Sequence, residues 1–379
     1  MTRRHFLAAA SATLGVFAAG GLLEACGGAT APGSSAASPA VSGKPEAAGS
    51  FDQLLEAAKR EGQVNLWTGS PNVDTTMQKL QEAFNKRFGT SINVQHVSLT
   101  AGEAASRLIA ENQAGRHDGD MLQPSLDIAS NLLDQNLAAK RDWQALFGAQ
   151  LPGIKDAVEA VGVPELRGAA LGYWDVVYVV LYNTSQITKD QLPKKWDDLA
   201  QPAFKGKLAV DVRGYPFNYL MLHPDWGADK TEKLVRAVNG QQPLKQQGAV
   251  AVSDAVARGD APLGLGSIAD TFLQKKKGRP VEAVVFDYVP LNPLMAFVPA
   301  QPAHPNASQL YAAWMTVEGV DILEAEESNG RLSKQGSPTQ QAVYSQQPNP
   351  KIATIRSRED MKTSADFLKR VGEIFTGAR

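Results

Sequence analysis

The 379 residues contain one cysteine, so no intrachain disulfide can form. Excess charge of either sign is also missing. Lys and Arg number 38 against 39 Asp and Glu, for a net charge of −1, which excludes an electrostatic nucleic-acid surface. The Lys275–Lys277 run is too short to change that and reads as a solvated helix end. Motifs that carry chemistry are absent too. There is no HExxH, no Walker A loop and no GxSxG, and Gly264-Leu265-Gly266-Ser267 has the wrong spacing for a nucleophile elbow. His96, His117, His223 and His304 lack metal-ligand spacing. No catalytic residue, metal site or cofactor is therefore assigned.

What is present begins at the N-terminus. Arg3 and Arg4 precede Phe6–Leu23, an uncharged run weakened by Gly, Ser and Thr, which is the layout of an export signal. Thr2–Leu7 resembles the twin-arginine export motif, departing from it at Ala8. Leu23-Glu24-Ala25-Cys26 resembles a bacterial lipobox, which implies a lipidated Cys26 at the mature N-terminus. Gly27–Ser50 is mostly Gly, Ala, Ser and Pro and cannot bury enough apolar surface to order itself. As a tether it would reach roughly 27 Å r.m.s.. Residues 1–26 are thus expected to be an export signal with lipobox and 27–50 a flexible tether, holding an extracytoplasmic protein to the bacterial membrane.

The remainder, 43% hydrophobic over the whole chain, has the composition of a soluble globular protein with room for two or three domains. Ser50 with Gln53 begins a helix that Gly62 stops, and Val64–Trp67 follows as a strand. Asp74 is expected to cap the next helix, whose apolar stripe is Met77, Leu80, Phe84 and Phe88. Strands at Ile92–Val97 and Asp120–Leu122 alternate with helices at Glu103–Ala114 and Leu126–Gln135, which argues for a parallel sheet with covering helices. Gly172–Thr184 (GYWDVVYVVLYNT) is the organising stretch, a strand passing from a first lobe into a second beside a cleft. Later strands are expected at Leu208–Val210, Pro262–Leu265 and Val281–Phe286, with Leu294–Val298 returning to the first lobe and the rest, from an Asn306-capped helix to Phe375, packing there. Lobe 1 is then 51–175 with 294–379, and lobe 2 is 176–293.

Three groups of residues carry a family resemblance in order and spacing: Glu61–Val64; Tyr178–Thr184; and Trp196–Leu199 leading into Phe204–Lys207, with Pro305–Ala307 completing them. Together with the lipoprotein signal they resemble the extracellular solute-binding proteins of ABC importers, in the branch of ferric-iron, thiamine, polyamine and sugar-phosphate binders. The resemblance implies an α/β, two-lobed periplasmic-binding fold of the Venus-flytrap type, with each lobe a mostly parallel sheet covered by helices and two hinge crossovers. It also implies a monomer that closes on a small-molecule ligand and docks on a membrane permease driven by a cytoplasmic ATPase, with no enzymatic activity. An enzyme working through Asp175 and Asp211, or a receptor for a membrane sensor, are the other readings.

Ligands in such sheets sit at loops beyond strand ends, near helix N-termini. Ser70, Asn72, Thr100, Ser125 and Ser267 lie in such loops and offer neutral hydrogen bonds. Arg213, in a Gly- and Pro-containing loop, can grip a carboxylate or phosphate bidentately. Trp174, Tyr215 and Tyr288, with Tyr173, can stack on a flat ligand, and Asp175 among aromatics suits an amine instead. Ferric relatives commonly use adjacent tyrosines; no Tyr-Tyr pair occurs here and Gly264–Asp270 holds no tyrosine, which counts against iron. A small organic anion is the expected ligand, with an amine or ferric iron as alternatives.

Overall fold

The helix Phe51–Glu61 starts where Ser50 accepts a hydrogen bond from the Gln53 N–H and ends at Gly62, whose φ of 67° is the left-handed conformation a stop requires. A computed structural model describes the chain over residues 50–377; the export signal, Cys26 and nearly all of the expected tether lie outside them. Among the described residues no helix is long and apolar enough to cross a membrane.

Ten strands follow in chain order: β1 (Gln63–Thr68), β2 (Asn93–Ser98), β3 (Met121–Leu122), β4 (Ala170–Asn183), β5 (Leu208–Asp211), β6 (Leu244–Gln246), β7 (Leu263–Ser267), β8 (Val281–Val284), β9 (Tyr288–Phe297) and β10 (Lys351–Ala353). Their order is β2-β1-β3-β9-β4-β7-β5-β6, with β8 beside β4 and β10 beside β9. β1 pairs in parallel with β2 and β3, and β5 pairs in parallel with β6 and β7. Each parallel set is joined through helices, as crossover connections demand. Between the two sets run β4 and β9, antiparallel to each other.

β4 is the shared element. Its first half, Ala170–Val177, pairs with β9, and its second half, Tyr178–Tyr182, pairs with β7. Two separate cores flank this junction. One gathers Leu66, Leu80, Phe84, Trp143, Phe147, Tyr311 and Trp314. The other gathers Trp196, Phe217, Val235, Phe286, Phe367 and Val371. The last two named residues of that second core show where the sequence expectation fails. The C-terminal helix Arg358–Thr376 packs mainly against the second lobe. It buries Phe367, Val371 and Phe375 in the second lobe, because its apolar stripe faces Phe217 and Val235. At its N-terminal end Arg358 forms a bidentate pair with Asp134 of the first lobe, so this helix spans both.

Two expected helix caps are also replaced. Asp74 is the first helical residue of Asp74–Phe88 rather than its cap, and the free N–H groups of Asn72 and Val73 donate to Glu327, far along the chain. Likewise Asn306 lies inside the helix Pro305–Trp314, and the Asn306 and Ala307 N–H groups donate to Glu61.

Candidate functional site

A cavity of about 580 Å³ opens at the β4–β9 junction, walled by loops from both lobes. The alternation of β strands decides its hinge wall. Trp174 pairs with Leu294 and Val176 with Asn292, so these four side chains share one face and line the cavity. A β-bulge sets that parity: Gly172 pairs with Met295 but Trp174 with Leu294, leaving Tyr173 as the extra residue, buried in the first core. The bulge places Trp174 among the cavity-lining residues, and its Nε1–H is buried without a hydrogen-bond partner.

The first lobe contributes Ser70, Asn72, Ala101, Gln123 and Ser125. Ser70 is held from three directions. Its N–H donates to Gln123 Oε1 at 3.0 Å, its hydroxyl donates to Glu327 Oε2 at 2.9 Å and accepts from Asn329 Nδ2 at 2.9 Å. Ser125 bridges to Leu294, which places the start of the helix Leu126–Asp134 beside Trp174. That helix has no side-chain cap, and the Ser125 hydroxyl donates to Asp127 instead. The second lobe contributes Ala249, Val250, Ser267, Ala269, Asp270 and Leu273. The helix Ala249–Arg258 also begins here without a side-chain cap. Ser267 and Asp270 form a reciprocal capping box at the head of Ile268–Lys276.

Of the residues named from sequence, Ser70, Asn72, Ser125, Trp174 and Ser267 line this cavity. Thr100 caps the helix Ala101–Gln113 in a box with Glu103, and its neighbour Ala101 reaches the cavity. Asp175, one residue on from Trp174, points to the opposite face by strand alternation. It accepts from the Leu332 N–H at 2.7 Å, and burial lifts its carboxyl to about 6. Tyr288 is away from the cavity, donating its hydroxyl to Asp225 at 2.7 Å. Arg213 donates through Nε and Nη2 to Asp211, a half-exposed guanidinium on a buried carboxylate that also accepts from Gly248 N–H. Gln123, Asn292, Glu327, Asn329 and Asp270 line the cavity without having been singled out; capping-box spacing from Ser267 was the signal available for Asp270.

Tyr215 lies in a group beside the cavity that sequence did not assemble; Tyr178 of this group pairs with the cavity residue Ser267 and stands two residues on from Val176 on the same strand face. The rings of Tyr178, Tyr215 and Tyr219 form a triangle with centroids 5.9–6.1 Å apart and planes within 26° of one another. Burial raises the phenols of Tyr178 and Tyr219 well above their usual range, and Arg213 stands 5.3 Å from the Tyr215 ring. No group of three or more His, Cys, Asp or Glu suited to a metal occurs among the described residues.

This two-lobed arrangement matches known proteins. The solved iron-bound HitA from Pseudomonas aeruginosa is similar at a TM-score of 0.64 and 19% identity, covering 82% of this chain and 99% of that one. The substrate binding protein of an ABC transporter from Agrobacterium tumefaciens is similar at 0.63 and 15%, covering 84% and 96%. At these identities the likeness establishes the periplasmic-binding fold. An uncharacterized protein from Haemophilus influenzae is 27% identical over 110 residues, 27% of this chain and 32% of that relative's length. The model of one family matches residues 79–320, more than half of the chain. The chain therefore belongs to the bacterial extracellular solute-binding proteins, a family of binders and not of enzymes.

Proposed function

We propose that this protein is the lipid-anchored solute receptor of an ABC importer, and that its cavity takes a small organic anion with an apolar flank. The similar Agrobacterium protein is described as the binding component of such a transporter, and the family is one of extracellular binders. The single observation that carries the ligand class is the convergence of unfilled donors. Two helices without side-chain caps, one from each lobe, begin at the cavity, and the buried Trp174 indole N–H in its wall is unpartnered. Helix N-termini present orphan N–H groups and a partial positive charge, which favour an anion. Trp174, Val176, Leu273 and Leu294 supply an apolar wall for the rest of the ligand. Micromolar binding needs about 8 kcal/mol, which several charge-assisted bonds and one stacked ring can provide. Native mass spectrometry of the intact chain before and after denaturation tests the reading. The expected result is release of a small carboxylate or phosphate ester; release of a metal ion alone overturns it.

One observation favours a second reading. The Tyr178, Tyr215 and Tyr219 triangle gathers three phenols, hard donors for a hard cation, and a similar solved protein is described as iron-bound. Burial opposes their ionisation, so the metal itself would have to displace the protons. Ferric titration decides between the readings: iron on this triangle would show a visible phenolate-to-metal charge-transfer band that Tyr215→Phe weakens.

A further inference from the structure

The cavity holds three carboxylates: Glu327 is engaged through both oxygens, and Glu326 is a partly exposed carboxylate already paired with a lysine. Glu327 accepts from Ser70, Asn72 and Val73, and Glu326 pairs with Lys79 at 2.6 Å. Asp270 differs. Its side chain belongs to a residue only 7% exposed, and its Oδ2 accepts from the Ser267 N–H at 3.2 Å and the Ser267 hydroxyl at 2.7 Å. Its Oδ1 accepts nothing from the described residues, and it is not among the atoms sealed from solvent. The nearest charges do not compensate it: Asp254 repels and Lys277 attracts from beyond hydrogen-bond range.

A ligand carrying acceptors alone would meet this oxygen as a like charge and leave it unpaired in a closing, desolvated site. A hydroxyl would fill the acceptor but leave the charge. We propose that Asp270 is the counter-ion for an ammonium group on the ligand, so that the solute is a small amino acid whose carboxylate faces the uncapped helix ends and Trp174. This deepens the anion reading and rests on it. It also moves the amine-binding role expected of Asp175 to a carboxylate that reaches the cavity. Burial raises the Asp270 carboxyl, which in the empty cavity favours a proton where the ammonium would sit.

Calorimetric titration of the intact wild-type chain compares matched probes: glycine, 4-aminobutanoate, leucine and phenylalanine; the same skeletons without the amine; the hydroxy acids; and putrescine. At least one amino acid should bind roughly tenfold or more tightly than its amine-free and hydroxy counterparts, as expected for a charge-assisted pair. Asp270→Asn should reduce that ratio to about threefold or less without weakening the amine-free acid. Leu273→Lys, one helical turn away, should abolish the preference by supplying an internal ammonium, and serves if the Asn variant fails to fold. An amine-free or hydroxy acid binding as tightly as every amino acid leaves the anion reading standing and overturns the role of Asp270. Putrescine as the tightest probe overturns the anion reading itself, and binding of no probe at millimolar concentration overturns both.

Discussion

Two adjoining parts of the lobe boundary, the tyrosine triangle with Arg213 and the cavity itself, end in opposite states. At the triangle, the guanidinium of Arg213 is gripped by Asp211 within its own lobe, through a backbone N–H, Nε and Nη2, and the rings of Tyr178, Tyr215 and Tyr219 pack on one another. At the cavity, two helices begin without a side-chain cap, one oxygen of Asp270 has no protein partner, and the Trp174 N–H is buried unpaired. The charged residue that looked sharpest in sequence is one the fold already pairs, through two of its five guanidinium N–H groups, with a buried carboxylate. What marks a ligand site is unfilled capacity in a desolvated place, more than the chemical type of the side chain.

Asp175 provides the largest test, because it lies behind the hinge wall and outside both parts. Its folded-state carboxyl, at about 6 against an ordinary 3.8, is raised by burial first, with Leu332 N–H and Arg331 opposing. The fold therefore holds an extra proton over that window, and its stability falls as pH rises through it. The difference amounts to about 3 kcal/mol. Urea unfolding on both sides of the window should show Asp175→Asn gaining on the wild type by about that amount toward neutral pH. Ligand affinity should not follow. A variant that instead loses binding would return Asp175 to the site.

Next in size is Trp174→Ala, which removes both the apolar wall and the free donor. Affinity for the released ligand should drop by roughly thirtyfold or more, about 2 kcal/mol. Tyr215→Ala in the triangle should cost less than about threefold. The reverse ranking would put the ligand on the tyrosine triangle. The smallest effect belongs to Arg213→Ala. Its guanidinium is half exposed and already paired, so affinity should change by less than about threefold. A tenfold loss would mean that the pair with Asp211 opens to take an anion.

Local signals carried most of the elements. The capping spacings Ser50/Gln53 and Ser267/Asp270 mark real helix starts, and Gly62 and Gly89 stop helices in the left-handed conformation. The β-branched run after Gly172 is the strand that both lobes share. Less visible were groups whose partners lie far along the chain. Asp74 and Asn306 have the chemistry of caps, yet Glu327 and Glu61 bind the N–H groups at those helix starts. The C-terminal helix shows a clear apolar stripe, but a stripe does not say which of two cores it will meet.

From its order of residues alone, this protein is determined to be a chain of alternating strands and helices without catalytic motifs, because periodicity, caps and turn residues act over a few positions. The two-lobed solute receptor is what its family resemblance implies. Tertiary structure decided which side chains face the ligand. A single bulge between Gly172 and Trp174 reverses the parity of the strand, sending Trp174 into the cavity and Asp175 away from it. Pairings across long stretches of chain fill Glu327, a local pairing holds Arg213 on Asp211, and Asp270 is left with an oxygen to offer. Whether a polar atom remains unpaired depends on every neighbour that the whole fold brings within hydrogen-bond distance, and no local pattern contains that sum.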